Sequence, residues 1–345
     1  MVSIYKAPSV SIIIPHWNKA EYLPTCLNSL LGQSYPHFEV VLVDNGSTDE
    51  SLAILEKDYP WVQVIALEAN LGFAKAVNIG IRATSGELVA LFNNDVEAHP
   101  RWLEELVDTL ERHPQAGMAT PKLLLFDRRD VINAAGDFYG LDGVPGNRGV
   151  WQKDEGQFDE EEWVFGPGGA ASLFRRSMLD TIALPTGEGP QVLDEEFVSY
   201  CEDVDLAWRA QLAGYRCIYV PTAPAYHRLS ATGGGALASY YVGRNFLYLI
   251  AKDYPTSLLV KHWLRVLRAQ LRITWEALKA WRGEAARARL WGQIAGLFTW
   301  PRMLKKRKVV QSARRVSDEY LEELLKRVRT SGLFTFWSDK GERLR

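Results

Sequence analysis

The first 125 residues alternate between two hydrophobic patterns. Short continuous apolar runs predict β-strands at 10–14, 38–43, 62–67, 88–92 and 118–126. Between them, apolar residues at three- and four-residue spacing predict helices over about 22–31, 74–84 and 100–112, with another beginning near residue 48. Continuously apolar strands are buried on both faces. The pattern therefore indicates an α/β fold with a mostly parallel central sheet and helices on both faces.

The rest of the chain falls into two further regions. Residues 127–163 are irregular, and a helix near 177, a helix over 202–212 and a last strand over 217–220 follow, with His227 in the loop beyond. After residue 255 the pattern becomes that of long amphipathic helices. An apolar stripe there comprises Leu259, Trp263, Leu267, Leu271, Trp275 and Leu278. An adjacent basic stripe comprises Lys261, Arg265, Arg268, Arg272 and Lys279.

Composition and charge narrow the class of protein. With 345 residues, 47% hydrophobic and 24% charged, the chain has globular composition and enough length to bury a core. The formal net charge is −2, but residues 256–345 carry 21 Lys and Arg against 8 Asp and Glu, a net +13, together with half of the twelve Trp residues. An acidic body of net −15 is therefore joined to a basic, Trp-rich extension.

Cysteine usage and hydropathy favour the cytoplasm. Cys26, Cys201 and Cys217 are odd in number and lack the spacing of a metal site, so we expect neither a disulfide framework nor a zinc site. We find no signal-peptide pattern near residue 1. A stretch of 15 residues without a charged residue, 229–243, is rich in Gly and is too short and too polar to span a bilayer. We expect neither export nor a membrane span.

Polar residues follow the strands of the predicted sheet. Ligands of such sheets bind beyond the carboxyl ends of the strands. This chain places 16–18, 44–47, 68–72 and 93–95 there. In Asn93-Asn94-Asp95, the carboxylate would bind a Mg²⁺ or Mn²⁺ ion that bridges a diphosphate, and helix capping is the alternative role.

The second half offers two more candidates. Glu202-Asp203-Val204-Asp205 places three acids in four residues at a helix start. Such acids stabilise a helix through its dipole, but acids this close also raise one another's pKa, and one of them would act as a general base. His227 is a candidate metal ligand, with a structural histidine as the alternative. Arg244 is a candidate partner of a diphosphate, or a surface residue.

The order of these motifs resembles family 2 glycosyltransferases of the GT-A fold, closest to bacterial rhamnosyltransferase-like enzymes of cell-surface polysaccharide synthesis. The resemblance covers about residues 8–255. It rests on SIIIPHWNKAEYLPTCLNSLLGQSYPHFEVVLVDNGSTDES, EANLGFAKAVNIGIRATSGELVALFNNDVE and YCEDVDLAWRAQLAGYRCIYVPTAPAYH. It implies a Rossmann-like catalytic domain over 1–255, with a nucleotide-sugar half at about 8–126 and an acceptor half at about 127–255, followed by a helical extension over 256–345.

The resemblance assigns roles to individual positions. Positions matching nucleotide-sugar contacts are Pro15, Asn18, Asp44, Asn70, Gly72, Lys75, Asn93, Asn94 and Asp95. Asp95 and His227 match the metal site, and Asp203, with Glu202 beside it, matches the catalytic base. Gly168 and Gly169 lie where the acceptor-side loop comes. Two positions depart from the family pattern: Asn93 stands at the first position of the DxD motif, and Trp17 replaces the usual Tyr.

These roles imply an inverting transfer of a sugar from a nucleoside diphosphate to a hydroxyl of a saccharide or lipid-linked saccharide. Rhamnose on dTDP is the expected donor, with UDP- and GDP-linked sugars as alternatives, and the expected cofactor is Mg²⁺ or Mn²⁺. Two rival functions remain. A sugar-nucleotide-forming nucleotidyltransferase would need a Gly-rich signature near residue 1 that is absent, and a non-catalytic carbohydrate-binding protein would have no use for a general base.

The basic extension has three interpretations. The favoured one is peripheral contact with an anionic membrane through 256–310, which would place the protein at the inner face of the cell membrane. The others are packing against the catalytic domain and packing against another subunit. Nucleic-acid binding is not expected, because the body is acidic and no known motif is present.

Overall fold

The apolar strands pair into one curled sheet at the centre of the molecule. The computed structural model describes residues 7–187, 189–228 and 235–326. The strands are β1 (Val10–His16), β2 (Phe38–Asp44), β3 (Gln63–Ala66), β4 (Leu88–Phe92), β5 (Val96–Ala98), β6 (Ala116–Leu125), β7 (Ile132–Ala134), β8 (Asp137–Tyr139), β9 (Pro145–Asn147), β10 (Glu162–Val164), β11 (Ala171–Arg175) and β12 (Arg216–His227). The main sheet has the order β10-β12-β6-β11-β4-β1-β2-β3, and β5 and β7 pair with β12 and β6.

Helices cover both faces of this sheet, as the sequence predicts. They are α1 (Leu23–Leu31), α2 (Ser51–Asp58), α3 (Phe73–Arg82), α4 (Trp102–Arg112), α5 (Arg176–Ile182), α6 (Glu202–Leu212), α7 (Gly235–Lys252), α8 (Thr256–Lys279), α9 (Glu284–Ser312) and α10 (Asp318–Lys326). Successive side chains of a strand point to opposite faces. In β1, Ile12 and Ile14 therefore pack with α1 and α4, whereas Ile13 packs with α3.

The strand register brings the predicted loops to one edge. In the parallel pairs, His16 at the end of β1 lies opposite Asp44 at the end of β2, and Asp44 lies opposite Ala66 at the end of β3. β4 runs parallel to β1 on its other side. The segments that follow β1, β2, β3 and β4 therefore share the carboxyl edge of the sheet, as the sequence pattern predicts.

Six short strands, β5 and β7 to β11, are additional to the prediction, and β12 is longer than predicted. β11 was not predicted, because its five residues follow a Gly-rich stretch that resembles a loop. It runs antiparallel between β4 and β6 and pairs Ala171 with Phe92, so Gly168 and Gly169 reach the same edge. β12 continues past its predicted end at Val220, through a register shift, so that His227 ends the strand rather than lying in a loop.

The predicted helical extension is present in the described residues, and its last part, 327–345, lies outside them. Helices α7 and α9 pack closely. A Cβ at Gly243 would come within 2.5 Å of the Arg289 carbonyl oxygen, so this contact requires glycine. Helix α8 is joined to α9 by a hydrogen bond between Thr274 and Gln293. None of the described helices is long and apolar enough to cross a membrane.

A buried ionic cluster joins α9 of the extension to α6 and α7. Lys252 of α7 is fully buried and pairs with Asp194 at 2.6 Å and with Asp205 of α6. Lys306 of α9 adds a second contact to Asp194 at 2.5 Å. Arg209 completes the cluster with a hydrogen bond to Asp205 at 2.9 Å. Helices α6, α7 and α9 are thus held together by matched charges.

Candidate active site

The ends of β1 and β2 form a polar turn in which one carboxylate oxygen has no described hydrogen-bond partner. Asp44 accepts a hydrogen bond from the Ser47 amide through Oδ2, at 3.1 Å. Its Oδ1 is buried and has no hydrogen-bond partner among the described residues. The Asn18 amide donates to Ser47 Oγ at 2.7 Å, and Asn18 Oδ1 accepts from the Thr48 amide at 2.8 Å. Pro15, in β1, lies beside Val43. A buried acceptor without a partner is expected to receive a donor from a ligand.

The loop after β3 is held to this turn by an asparagine that the sequence analysis did not single out. Asn45 Nδ2 donates to Asn70 Oδ1 at 3.0 Å, and Asn45 Oδ1 accepts from the Leu71 amide at 2.8 Å. Asn70 Oδ1 also accepts from the Gly72 amide at 2.9 Å. The position of Asn45 directly after Asp44 was the available signal. Lys75 follows in the first turn of α3, 4.0 Å from Glu195.

The segment after β4 is connected to β1 through His16, which was also missed. Asn94 Nδ2 and His16 Nδ1 lie 2.8 Å apart, and His16 Nε2 lies 2.8 Å from Ser51 Oγ. Burial lowers the pKa of His16 although Asp44 and Asp49 act to raise it, so the ring is neutral near pH 7. A neutral ring donates through one nitrogen and accepts through the other, which suits both contacts.

Asp95, in the turn between β4 and β5, and His227, at the end of β12, come together at this edge. Asp95 is buried, and its Oδ1 lies 3.3 Å from His227 Nε2 without a hydrogen bond. His227 Nδ1 lies 2.9 Å from Asn133 Oδ1, which fixes the orientation of the ring. Within the described ranges no group of three or more His, Cys, Asp and Glu side chains is placed to hold a metal ion. One carboxylate and one imidazole nevertheless suit a Mg²⁺ or Mn²⁺ ion that takes its other ligands from phosphate and water.

Asp203 and Glu202 start α6, next to the Gly-rich loop before β11. Gly169 is so close that an added Cβ would overlap Asp203 Oδ2. Burial raises the pKa of Asp203, although the Val204 amide donates to its Oδ1 at 2.8 Å. Burial and the charge of Asp203 raise the pKa of Glu202 to about 8, and Glu202 Oε2 has no described partner. Glu202 is therefore protonated near pH 7.

A third acid, Asp137 of β8, extends this group. Asp137 is buried, and its pKa lies well above the usual range. Burial is the larger cause of this rise, and the charge of Asp203 is the second cause. Asn147 donates to Asp137 Oδ1 at 2.7 Å. The sequence offered no signal for Asp137, because it lies in an irregular region of many acids. Asp203 and Glu202 also line a small, mostly apolar cavity together with Phe73, Leu91 and Leu193.

The Asp95 segment and the Asp203 segment lie near each other at the sheet edge. The Asn93 amide donates to the Ala170 carbonyl at 2.8 Å, next to the glycine that contacts Asp203. Burial raises the pKa of Tyr200 to about 12, and the charges of Glu202 and Asp95 contribute to the rise. The Tyr200 phenol therefore lies near both groups. The Asp95–His227 pair and Asp203 therefore face the same edge of the sheet.

Arg244, the candidate partner of a diphosphate, contacts the backbone of the turn before α6. Its Nη2 donates to the carbonyl oxygens of Glu196 and Phe197 at 2.9 and 2.8 Å, and its Nε donates to Asn245 at 2.9 Å. These contacts hold the turn before α6 rather than the Asp95 segment. Gly168, predicted on the acceptor side, donates from its amide to Thr120 Oγ1 at 3.1 Å.

Comparison with known proteins identifies the family. The family model described as glycosyl transferase family 2 matches residues 11–183, half of the chain. The chain belongs to glycosyl transferase family 2. This confirms the resemblance noted from the sequence motifs.

Relatives within this family include proteins of polysaccharide synthesis. The O-antigen biosynthesis protein RfbC of Myxococcus xanthus is 32% identical over 239 residues, covering 65% of this chain and 18% of that protein. The N-acetylglucosaminyl-diphospho-decaprenol L-rhamnosyltransferase of Mycobacterium tuberculosis is 28% identical over 251 residues, covering 66% of this chain and 79% of that protein. The chain thus spans only about a fifth of the length of the first of these relatives.

Solved structures of similar fold confirm the predicted GT-A architecture. TarS of S. aureus matches with a TM-score of 0.52 at 22% identity, covering 74% of this chain and 43% of that one. The mannosyltransferase PcManGT from Pyrobaculum calidifontis, solved with GDP-Man and Mn²⁺, matches with a TM-score of 0.51 at 17% identity, covering 94% and 89%. At this identity the likeness concerns the fold.

Proposed function

We propose that this protein transfers a sugar from a nucleoside diphosphate donor to a hydroxyl of a saccharide or lipid-linked saccharide, with inversion at the anomeric carbon. The observation that carries the proposal is the meeting of the Asp95–His227 pair and the buried Asp203 at one sheet edge. Family membership and the named rhamnosyltransferase relative support dTDP-rhamnose as the donor. The catalytic unit would end near residue 255.

The donor nucleotide would lie over the ends of β1, β2 and β3. Asp44 Oδ1 is an acceptor without a described partner, placed to receive a hydroxyl or imino group of the nucleoside. The loop of Asn70 and Gly72 borders the same space, and Asn45 holds its backbone. Lys75, in the first turn of α3, would add positive charge near the phosphates.

The diphosphate would lie beside Asp95 and His227. A divalent ion held there would neutralise charge on the leaving group. Because Asn93 replaces the first acid of the motif, Asp95 is the only carboxylate of the triplet available to it. The contacts of His227 with Asn133 and of Asn94 with His16 keep these side chains in place before substrate binds.

Asp203 would act as the general base. Its carboxylate would take the proton of the acceptor hydroxyl while that oxygen forms a bond to the anomeric carbon. The bond from this carbon to the diphosphate oxygen breaks, and the nucleoside diphosphate leaves with the electron pair. One displacement inverts the configuration and needs no nucleophilic carboxylate. Glu202, protonated near pH 7, would keep a second negative charge away from Asp203.

The test is release of nucleoside diphosphate from a panel of dTDP-, UDP- and GDP-sugars, with and without saccharide acceptors. We expect acceptor-dependent release from one donor class, loss of that release in Asp203→Asn, and unchanged nucleotide affinity in this variant. Full transfer by Asp203→Asn would remove the base role. Formation of a sugar nucleotide from a sugar phosphate would favour a nucleotidyltransferase, and binding without turnover would favour a carbohydrate-binding protein.

A further inference from the structure

Helix α8 carries an apolar stripe that no described part of the chain covers. The stripe consists of Trp263, Leu264, Leu267, Leu271, Trp275 and Leu278, which are 45–61% exposed. Helix α8 instead buries Leu258, Val266 and Ile273 on its opposite side. Soluble surfaces rarely expose apolar residues contiguously, so a stripe of this length indicates a binding surface.

Helix α9 also carries exposed apolar side chains. It runs back along α8 after a short turn, and Trp291, Leu297 and Phe298 are 65%, 63% and 81% exposed. Trp281 in the turn between the helices is 58% exposed. Tryptophan, with an apolar ring and one polar N–H group, is the side chain enriched at the boundary between lipid and water.

Basic side chains flank the stripe. At 100° per residue, Lys261, Arg265, Arg268 and Arg272 fall on one side of α8, between the apolar stripe and the buried face. The three arginines are exposed. Two copies of this chain docked through the stripe would bring these like charges near each other, whereas an anionic surface would neutralise them.

We propose that the exposed stripe of α8 and the outer side of α9 dock on an anionic lipid bilayer, with the tryptophans in the headgroup region and the arginines on lipid phosphates. The inference rests on exposure and charge alone and is independent of the transfer reaction. It gives a lipid-linked acceptor a surface on which to meet the active site.

Vesicle flotation of the full-length protein tests the proposal. We expect flotation with vesicles of phosphatidylcholine mixed with phosphatidylglycerol, little with phosphatidylcholine alone, and release at high salt. The triple variant Arg265→Glu, Arg268→Glu and Arg272→Glu should reduce the bound fraction by about tenfold or more. The pair Leu271→Ser and Trp275→Ser, which leaves the charges intact, should also abolish flotation.

The matched control is the triple variant Lys57→Glu, Arg82→Glu and Lys153→Glu. It makes the same change in net charge at exposed positions outside the extension, and it should float like the unaltered protein. Loss of flotation in this control, or no flotation of the unaltered protein at low salt, overturns the proposal. A dimer in sedimentation that Leu271→Ser and Trp275→Ser dissociates would also overturn it, in favour of a second copy. Flotation that appears only after removal of residues 327–345 would also overturn the proposal, because it would indicate that this segment covers the stripe.

Discussion

Replacing Asn245 by Ala should slow catalysis, although Asn245 does not contact the proposed substrate sites. Asn245 is fully buried in α7, and its Nδ2 lies 3.1 Å from the carbonyl oxygens of both Phe197 and Ser199, and 2.6 Å from that of Tyr200. These carbonyls belong to the turn that leads into α6. Asn245 is therefore a positioning residue for Asp203, at the start of that helix.

The turn is strained, which sets the size of the effect. Val198 has φ 66 and ψ −62, with the Ser199 amide donating to the Phe197 carbonyl at 2.7 Å, so it forms a γ-turn that β-branched residues avoid. Tyr200 and Cys201 also have positive φ. At about 1–3 kcal/mol for each strained residue, the turn stores several kcal/mol. The two N–H donors of Asn245 are shared among these three carbonyls and, at about 0.5–1.5 kcal/mol for each hydrogen bond, offset part of this strain.

Without the amide, the turn should relax and Asp203 should shift. A misplacement of about 1 Å costs on the order of 100-fold in rate, so we expect Asn245→Ala to lower kcat by about 10–100-fold while changing KM for the donor much less. Steady-state transfer assays measure both constants. Adding Val198→Gly, which removes the strain, should restore part of kcat.

Gln293→Ala is the control. It also removes a buried amide, one that is hydrogen-bonded to Thr274 between α8 and α9. It should lower stability and leave kcat unchanged. A folded Asn245→Ala protein with kcat within about twofold of the unaltered enzyme would refute the reasoning, because such a change is less than about 0.5 kcal/mol in the barrier.

Three further predictions concern single residues. Because burial keeps Glu202 protonated up to about pH 8 in the folded protein but not above about pH 4.5 in the unfolded chain, the free energy of unfolding should fall with rising pH across this window. Glu202→Gln should flatten that fall in urea titrations at several pH values, and an unchanged slope would contradict the assignment. Gly169→Ala should displace Asp203 and lower kcat by about 10-fold or more, with nucleotide affinity retained in calorimetry. Lys252→Met removes two charged hydrogen bonds from buried carboxylates, while Lys306 still pairs with Asp194 and Arg209 with Asp205, and should cost about 2–4 kcal/mol in denaturant unfolding; a cost under about 1 kcal/mol would show that Lys252 does not stabilise the cluster.

The fold was predictable where each element carries its own hydrophobic period. Strands β1, β2, β3 and β4 are largely apolar runs, and α1 and α4 repeat apolar residues at helical spacing. Strand β11 was not predictable from the sequence, because its five residues become a strand only through pairing with β4 and β6 on both sides. The end of β12 was missed for a similar reason, since pairing with β5 and β6 continues it past a local irregularity.

The site was predictable where a motif carries the residue and not where distant packing places it. Asp44, Asp95 and Asp203 lie in recognisable motifs. His16, by contrast, acts through contacts with residues 35 and 78 positions away. Arg244 likewise donates to backbone carbonyls of Glu196 and Phe197, which no pattern in the sequence connects to it. Such roles depend on tertiary contacts rather than on local sequence.

The most direct test of the central claim, that Asp95 with His227 binds the diphosphate while Asp203 acts in the chemistry, is calorimetric titration of nucleoside diphosphates in the presence and absence of Mn²⁺. The unaltered protein and Asp203→Asn should bind one nucleoside diphosphate more tightly with Mn²⁺ than without it. Asp95→Ala should lose this enhancement and bind equally in both conditions. Equal enhancement in Asp95→Ala, or its loss in Asp203→Asn alone, would contradict the account.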